Sequence, residues 1–462
     1  MQDAKSLFDI VVPDKNLNAN FARIRLSKQS IAARAMLDDV FQSFRDPDGN
    51  FLEQFQTTGF DTRFFELYVF AYFSRSGFTI DRSHTSPDFI VERLGVKAAV
   101  EATTVNPSTS GAVAVHGKKI RDLNEADVVE YLRNELPIRF GSALQSKLQK
   151  RYWEQPHCAG LPFVVAIEAF HDEGSLHFSD TALMQFAYGI QQTADWGPQG
   201  ELLISTKGME DHKIGVKTVP SGLFNQPDAE NLSAILFTNS GTHAKFSRMG
   251  YQSGFGNNVL KIKRFGRAFD PAPDSMDSIL FSYDMDDPPL VEPWGQGLVV
   301  IENPRARHPL PVGFFVDAKE HHLEHGMVLT RPGGWHPFNS TTLLMHCGEA
   351  KTVKNFKPIL GNGPRAVSSI TKNEFWSYEP SIDVAGDQDG WFSDEFQSFL
   401  GLLVKSNGTW TALVLARDYH FKFFPIARKA GLSPRTVAVD ELQHEIMNLL
   451  NSPRRLFSEP VS

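Results

Sequence analysis

The pattern of apolar and polar positions between residues 60 and 190 predicts a layered arrangement of helices and strands. An aromatic run at 64–73 contains no Gly or Pro, which predicts a buried helix that Gly77 ends. Further short apolar runs and one amphipathic stretch follow it. They predict three strands, a helix and a buried strand, at 78–80, 88–91, 97–105, 127–153 and 161–168.

The rest of the chain falls into three further regions, which differ in their residue patterns and in the elements these predict. A chain of 462 residues is too long for one ordinary core, so two or three domains are expected. Residues 1–60 predict a helical lead-in, 61–190 the layered domain, 191–350 a strand-rich middle domain, and 351–462 a small α+β domain. The last of these includes a helix expected at 439–451. The expected fold class is therefore α/β, as an α+β multidomain protein.

Three acidic residues stand at positions that the predicted elements could bring together. Glu66 lies within the aromatic helix, and Asp88 follows Pro87 at the start of a strand. Glu101 interrupts the next, otherwise apolar strand. In a hairpin, Asp88 and Glu101 can face each other and would repel unless a divalent cation neutralised them. Carboxylate oxygens suit Mg²⁺ or Mn²⁺, so Asp88, Glu101 and Glu66 are the candidate metal ligands.

This order of residues resembles the PD-(D/E)XK nuclease superfamily, whose fold is restriction-endonuclease-like. The matching residues are Glu66, Pro87-Asp88 and Glu101-Ala102-Thr103. Thr103 stands where the family has its lysine. The resemblance implies an αβββαβ core, a bound Mg²⁺ or Mn²⁺, and catalytic roles for Glu66, Asp88 and Glu101.

In some members of that superfamily the following helix supplies the lysine instead. The helix predicted at 127–153 carries Lys147 and Lys150. Lys147 lies next to Leu148 and three residues after Leu144, so it borders the apolar face of the helix, whereas Lys150 points further away. We therefore expect Lys147 to be the fourth catalytic residue.

A second candidate site is a basic stretch at 243–267, which contains no acidic residue. Since the net charge of the chain is −8, any surface that binds nucleic acid must be a local patch such as this one. Cations can contact phosphates, and the interleaved aromatic residues could stack on bases. A solvated hairpin with its Phe side chains in the core is the alternative. The candidate nucleic-acid-binding residues are Lys245, Arg248, Lys261, Lys263, Arg264 and Arg267.

Other features narrow the setting. Two cysteines far from other ligands fit a reducing cytoplasm, and no stretch predicts a signal peptide or a membrane span. His321 and His325 would lie one helical turn apart, a spacing that can bind zinc, but the residues match no metalloprotease pattern and surface histidines are the favoured explanation. The sequence does not decide whether the chain forms a homo-oligomer.

The expected function is a metal-dependent nuclease that hydrolyses phosphodiester bonds in nucleic acid, with DNA as the expected substrate and bacterial restriction or defence as the expected setting. Two alternatives remain. One is a nuclease-fold protein that has lost catalysis, as Thr103 suggests, and binds nucleic acid or a protein partner. The other is a structural protein whose acids are buried ion pairs.

Overall fold

The structure is a computed structural model, and the chain divides into two compact units. The first comprises Met1–Asn257, Ala268–Ile279 and Leu290–Asn339, and the second Asn258–Arg267, Leu280–Pro289 and Ser340–Ser462. The residues that the structure describes are 6–107, 119–120, 123–172, 174–198, 201–269, 278–288, 291–346, 387–393, 399–417, 423–434, 437–438, 440–442 and 444.

The α-helices with assigned bounds all belong to the first unit. They are α1 Ala19–Leu26, α2 Ile31–Ser43, α3 Phe51–Gln56, α4 Phe60–Arg75, α5 Glu125–Glu130, α6 Leu136–Leu148, α7 Thr181–Tyr188 and α8 His243–Gln252. A π-helical turn, Tyr131–Glu135, joins α5 to α6, and Pro137 directly follows that junction. Because proline has no N–H to donate within a helix, a local change of hydrogen-bonding pattern is expected beside it. None of the described helices is both long and apolar enough to cross a bilayer.

The strands of the described residues follow in chain order. They are β1 Thr79–Asp81, β2 Phe89–Arg93, β3 Val96–Val105, β4 Phe163–Ala169, β5 Ile190–Trp196, β6 Leu202–Gly208, β7 Asp211–Ile214, β8 Lys217–Pro220, β9 Leu232–Thr238, β10 Leu260–Phe269, β11 Ser278–Asp284, β12 Leu298–Glu302, β13 Lys319–Glu324, β14 Met327–Arg331, β15 Pro337–His346, β16 Asp387–Ser393, β17 Phe399–Ser406, β18 Thr409–Arg417 and β19 Phe423–Leu432.

An eight-stranded mixed sheet is the centre of the first unit, and its strand order is β1-β2-β3-β4-β9-β12-β13-β14. Strands β1, β2 and β3 are antiparallel neighbours, whereas β3, β4 and β9 run parallel. Strand β12 pairs antiparallel with β9 and parallel with β13. The predicted α/β multidomain fold class is confirmed.

Helix α4 covers one face of this sheet, as its aromatic sequence predicts. Its buried side chains include Phe64, Tyr68 and Phe73, and the same core contains Val100 and Ala102 of β3. Because successive side chains of a strand point to opposite faces, Glu101 lies on the other face, where α6 packs. The two faces of β3 therefore have different roles.

The expected boundary near residue 190 does not separate two compact units. Strand β4 is wholly buried and pairs with β9 in parallel, and the sheet then continues through β12, β13 and β14. A fully buried parallel strand needs a neighbour on both edges, which residues beyond 190 supply. Four strands of the region predicted as a strand-rich middle domain thus complete the sheet of the first unit, namely β9, β12, β13 and β14.

The second unit is described by its strands. Strands β16, β17, β18 and β19 form a four-stranded antiparallel sheet, and most of β10 and β11 also belongs to this unit. The predicted helix at 439–451 lies largely outside the described residues.

Candidate active site

Asp88 and Glu101 meet at the point where β2 begins to pair with β3. The last paired residues there are Phe89 and Val100, one position inward from the two acids. The Asp88 amide donates to Glu101 Oε2 at 3.2 Å, and Asp88 Oδ2 accepts from the Ala102 amide at 2.8 Å. The two carboxylates thus extend the strand ladder with their side chains and lie on the same side of the sheet.

Helix α6 and the turn after it bring two donors to the other oxygen of Glu101. Lys147 Nζ lies 2.6 Å from Glu101 Oε1, and the hydroxyl of Tyr152 donates to the same atom at 2.6 Å. Buried Leu144 and Leu148 fix the face of α6 on which Lys147 lies. Lys150 follows the end of this helix and is exposed.

The placement of Lys147 bears on the missing lysine of the motif. Thr103 lies on β3 and is itself buried, with 8% of its surface exposed. Since Glu101 and Thr103 point to the same face of the strand, a cation from α6 reaches the region that a lysine at Thr103 would occupy. The Lys147 side chain keeps 19% of its surface exposed, against 7% for that of Glu101.

Asp88 has one oxygen that accepts no hydrogen bond from any described residue, namely Oδ1. The residue as a whole is half-buried. Burial, and then the charges of Glu101 and Glu66, raise the pKa of Asp88 well above its usual range. A cation at Oδ1 would relieve that unfavourable charge.

Glu66 is not part of this pair of carboxylates. Its Oε2 accepts from Arg63 Nη1 at 2.5 Å and its Oε1 from Arg82 Nη2 at 2.7 Å. Arg82 is 8% exposed and stacks on the rings of Phe44 and Phe89, at 3.8 and 4.9 Å from their centroids. A buried guanidinium needs a carboxylate partner, and Glu66 on the α4 face of the sheet is that partner. The structure therefore gives Glu66 an ion-pairing role in place of the predicted metal contact.

The donor set fits a magnesium ion better than a metal that demands several protein ligands. No group of three His, Cys, Asp or Glu side chains that could hold a metal occurs within the described residues. Mg²⁺, however, is commonly bound by one or two carboxylates, with water and substrate phosphate completing its shell. Asp88 and Glu101 supply that number of carboxylates.

The basic stretch that sequence reasoning singled out is for the most part not on the surface. Lys245 and Arg248 lie on α8 and pair with buried Glu292, at 2.7 Å in each case. Lys263 and Arg264 on β10 are each 1% exposed. All four side chains are buried, so these cations are not available to phosphate.

The two remaining residues of the stretch reach the surface in part. Lys261 is exposed and pairs with Asp286, and Arg267 is half-buried. The expected exposed basic patch is therefore corrected to a largely internal set of ion pairs.

The helical spacing expected for His321 and His325 does not occur. His321 lies on strand β13, not on a helix, and His325 occupies the turn to β14. His321 Nε2 pairs with Asp180 at 2.5 Å and its Nδ1 with Thr330 at 2.8 Å. One turn of a helix no longer relates the two histidines, so a zinc site at that spacing is excluded.

Tyr152 is the residue of the site that sequence reasoning missed. Its apolar spacing with Leu144 and Leu148 indicates burial, but nothing in the sequence shows which atom its hydroxyl meets. Burial and the charge of Glu101 raise the pKa of Tyr152, so it stays a neutral hydrogen-bond donor.

No protein-family model, curated protein or solved structure matches the chain. The function must therefore be argued from the site itself.

Proposed function

We propose that this protein is a metal-dependent nuclease that hydrolyses phosphodiester bonds, with DNA as its substrate. The observation that carries the proposal is the convergence of Asp88, Glu101 and Lys147 from three separate elements on one side of the sheet. Two carboxylates can hold a magnesium ion, and an amine beside them can stabilise charge on a phosphate during hydrolysis.

Asp88 and Glu101 would hold the metal ion. Asp88 Oδ1 accepts no hydrogen bond from a described residue, and Glu101 Oε2 accepts one, from the Asp88 amide. These two oxygens are therefore the ones open to a cation. When bound, Mg²⁺ would polarise the scissile phosphate and lower the pKa of an attacking water.

Lys147 and Tyr152 would orient the site and balance its charge. Lys147 neutralises Glu101 and would place its ammonium beside the bound phosphate. In the reaction a water molecule gives up a proton to solvent as its oxygen forms a bond to phosphorus. The phosphorus–oxygen bond to the leaving group breaks, and that group takes up a proton from solvent. An ammonium at this position stabilises the charge that gathers on the phosphate oxygens before the bond breaks.

The resemblance to the PD-(D/E)XK superfamily supports the same proposal, since Pro87-Asp88 and Glu101 stand in the order that family uses. The family's lysine would come from Lys147 here. A role in bacterial restriction or defence is proposed from that analogy alone.

A second candidate function rests on a specific observation. Glu66 is fully paired with Arg63 and Arg82, and Thr103 cannot act as a lysine. A nuclease-fold protein that binds nucleic acid or a protein partner without cleaving would show the same two features. Cleavage separates the two candidates.

The test is incubation of the wild type with labelled duplex DNA, single-stranded DNA and RNA, in Mg²⁺ and in EDTA. We expect Mg²⁺-dependent cleavage of DNA, with none in EDTA. Asp88→Ala and Glu101→Ala, purified in parallel, control for contaminating nuclease. DNA retained on filters by an inactive wild type, with affinity that falls as salt rises, would favour the binding protein instead.

A further inference from the structure

The connection from α6 to β4 contacts β3 at Glu101 and the loop that leads through Asp88 into β2. Tyr152 donates to Glu101 on β3, as described above. Farther along the same segment, Gln155 Nε2 donates to Ser86 Oγ at 3.1 Å, and His157 Nε2 donates to the Ser86 carbonyl at 2.8 Å. Ser86 lies two residues before Asp88, so the short segment 152–157 is bonded to the approach to one acid and to the other acid directly.

The segment is itself held by a series of tight turns. The Gln155 amide donates to the Tyr152 carbonyl at 3.0 Å, and the Cys158 amide to the Gln155 carbonyl at 2.9 Å. Tyr152 and Cys158 are both buried, with 3% and 1% of their surface exposed. Anchors of this kind leave the segment little freedom to move.

His157 is held from a second side as well. Its ring stacks on that of His84, with centroids 3.7 Å apart and an angle of 4° between the planes. His84 precedes Ser86 in the same loop, so the stack and the hydrogen bond both tie His157 to the chain that leads into Asp88.

We infer that segment 152–157 is a positioning clamp that sets the distance and orientation between the Asp88 and Glu101 carboxylates. The inference rests on the proposed function, because the two acids matter as a pair only if they act together. Tyr152, Gln155 and His157 are positioning residues in this account, since none of them needs to touch substrate. Polar groups that orient metal ligands in this way typically change metal affinity or activity by about 10–100-fold when they are removed.

The structure supplies a direct reporter of the clamp that needs neither metal nor substrate. The Asp88 amide donates to Glu101, and the Ala102 amide donates to Asp88. Exchange of these two amides with deuterium therefore reports whether each carboxylate is in place.

The experiment compares Tyr152→Phe with Trp153→Phe. Both aromatic residues pack on Phe163, with ring centroids 5.6 and 5.9 Å from it, but only Tyr152 bonds to Glu101. We expect Tyr152→Phe to speed exchange in peptides containing Asp88 and Ala102 by about tenfold. The dissociation constant for Mn²⁺, measured by calorimetry, should rise about tenfold too. Trp153→Phe should leave both quantities as in the wild type.

The other half of the clamp is tested with His157→Ala and His157→Gln. The alanine should speed exchange at Asp88, and glutamine, whose amide can still donate to the Ser86 carbonyl, should restore protection. If Tyr152→Phe fails to fold, this histidine pair decides the matter.

The outcomes separate the clamp from the proposed function. Equal exchange and equal Mn²⁺ affinity in Tyr152→Phe, His157→Ala and the wild type would overturn the clamp even if the wild type cleaves DNA. Suppose instead that exchange is faster in the two variants, while the wild type neither binds Mn²⁺ nor cleaves DNA. That result would overturn the proposed nuclease function and support the clamp.

Discussion

Two buried ionic clusters of the first unit use similar groups to different ends. The Glu101 cluster consists of Asp88, Glu101, Lys147 and Tyr152, and the Glu292 cluster of Lys245, Arg248 and Glu292. In the Glu292 cluster, Arg248 binds both carboxylate oxygens and Lys245 shares one of them. Its three side chains are 0–3% exposed.

The Glu101 cluster is less complete. Asp88 keeps an oxygen without a hydrogen bond from any described residue, and Lys147 keeps 19% of its side chain exposed. The ion pairs of the Glu292 cluster join α8 to the segment before β12 and stabilise the fold. The Glu101 cluster still has a carboxylate oxygen that can bind a ligand. Because of that difference, we place the function at Glu101. The predictions below test the contrast.

The largest effect is expected from Glu101→Gln. Gln cannot replace the charge that a divalent cation needs, and a metal ion supplies several kcal/mol of transition-state stabilisation. Single-turnover cleavage should therefore slow by about a thousandfold or more. Circular dichroism checks that the variant folds. Cleavage within about threefold of the wild type would remove Glu101 from the reaction.

In the Glu292 cluster, Glu292→Ala should affect stability strongly and cleavage little. Removing the carboxylate leaves Lys245 and Arg248 buried without their shared partner, a change that typically costs about 3–5 kcal/mol of unfolding free energy. Denaturant melts of the variant and the wild type measure it. A loss below about 1 kcal/mol would show that this cluster, too, is incomplete.

Replacing Lys147 with Ala should slow cleavage by about a hundredfold, the usual cost of losing one transition-state donor. Lys150→Ala is the matched control, because Lys150 lies three residues further on and is exposed. Its cleavage rate should stay close to that of the wild type. Equal rates for the two variants would mean that the cation of the reaction lies elsewhere.

The smallest effect is a dependence of stability on pH. Since the pKa of Asp88 is raised in the folded protein, its contribution to stability is present at low pH and is lost as pH rises through the folded pKa. Asp88→Asn escapes that loss while its amide oxygen can still accept from Ala102. In EDTA the variant should therefore match the wild type near pH 4 and exceed it by about 1 kcal/mol at pH 8. A difference independent of pH would refute the assignment.

Sequence alone predicted much of the sheet that carries the site. The aromatic run became α4, and the positions around Asp88 and Glu101 became the start of β2 and the middle of β3. Apolar spacing along the helix also placed Lys147 towards the sheet. These features depend on the local spacing of apolar residues and on turn-forming residues, both of which can be identified in one sequence.

Ion pairs and strand pairs between residues far apart in the sequence could not be predicted. Nothing local shows that Glu66 would meet Arg82, or that Lys245 and Arg248 would find Glu292 more than forty residues later. A run of basic residues therefore predicts an exposed patch, although most of these side chains are buried in the structure. For the same reason, the domain boundary at 190 missed that β9 completes the sheet beside β4.

The most direct test of the contrast measures melting and cleavage on the same samples of Asp88→Asn. Melting is recorded at pH 8 in EDTA, and single-turnover cleavage is started by adding Mg²⁺. A site that holds an unfavourable charge for the sake of a ligand should gain stability and lose cleavage when that charge is removed. Our account predicts a higher melting temperature than the wild type with cleavage slowed by about a thousandfold. A lower melting temperature with cleavage unchanged would show that Asp88 is a structural acid, as Glu292 is.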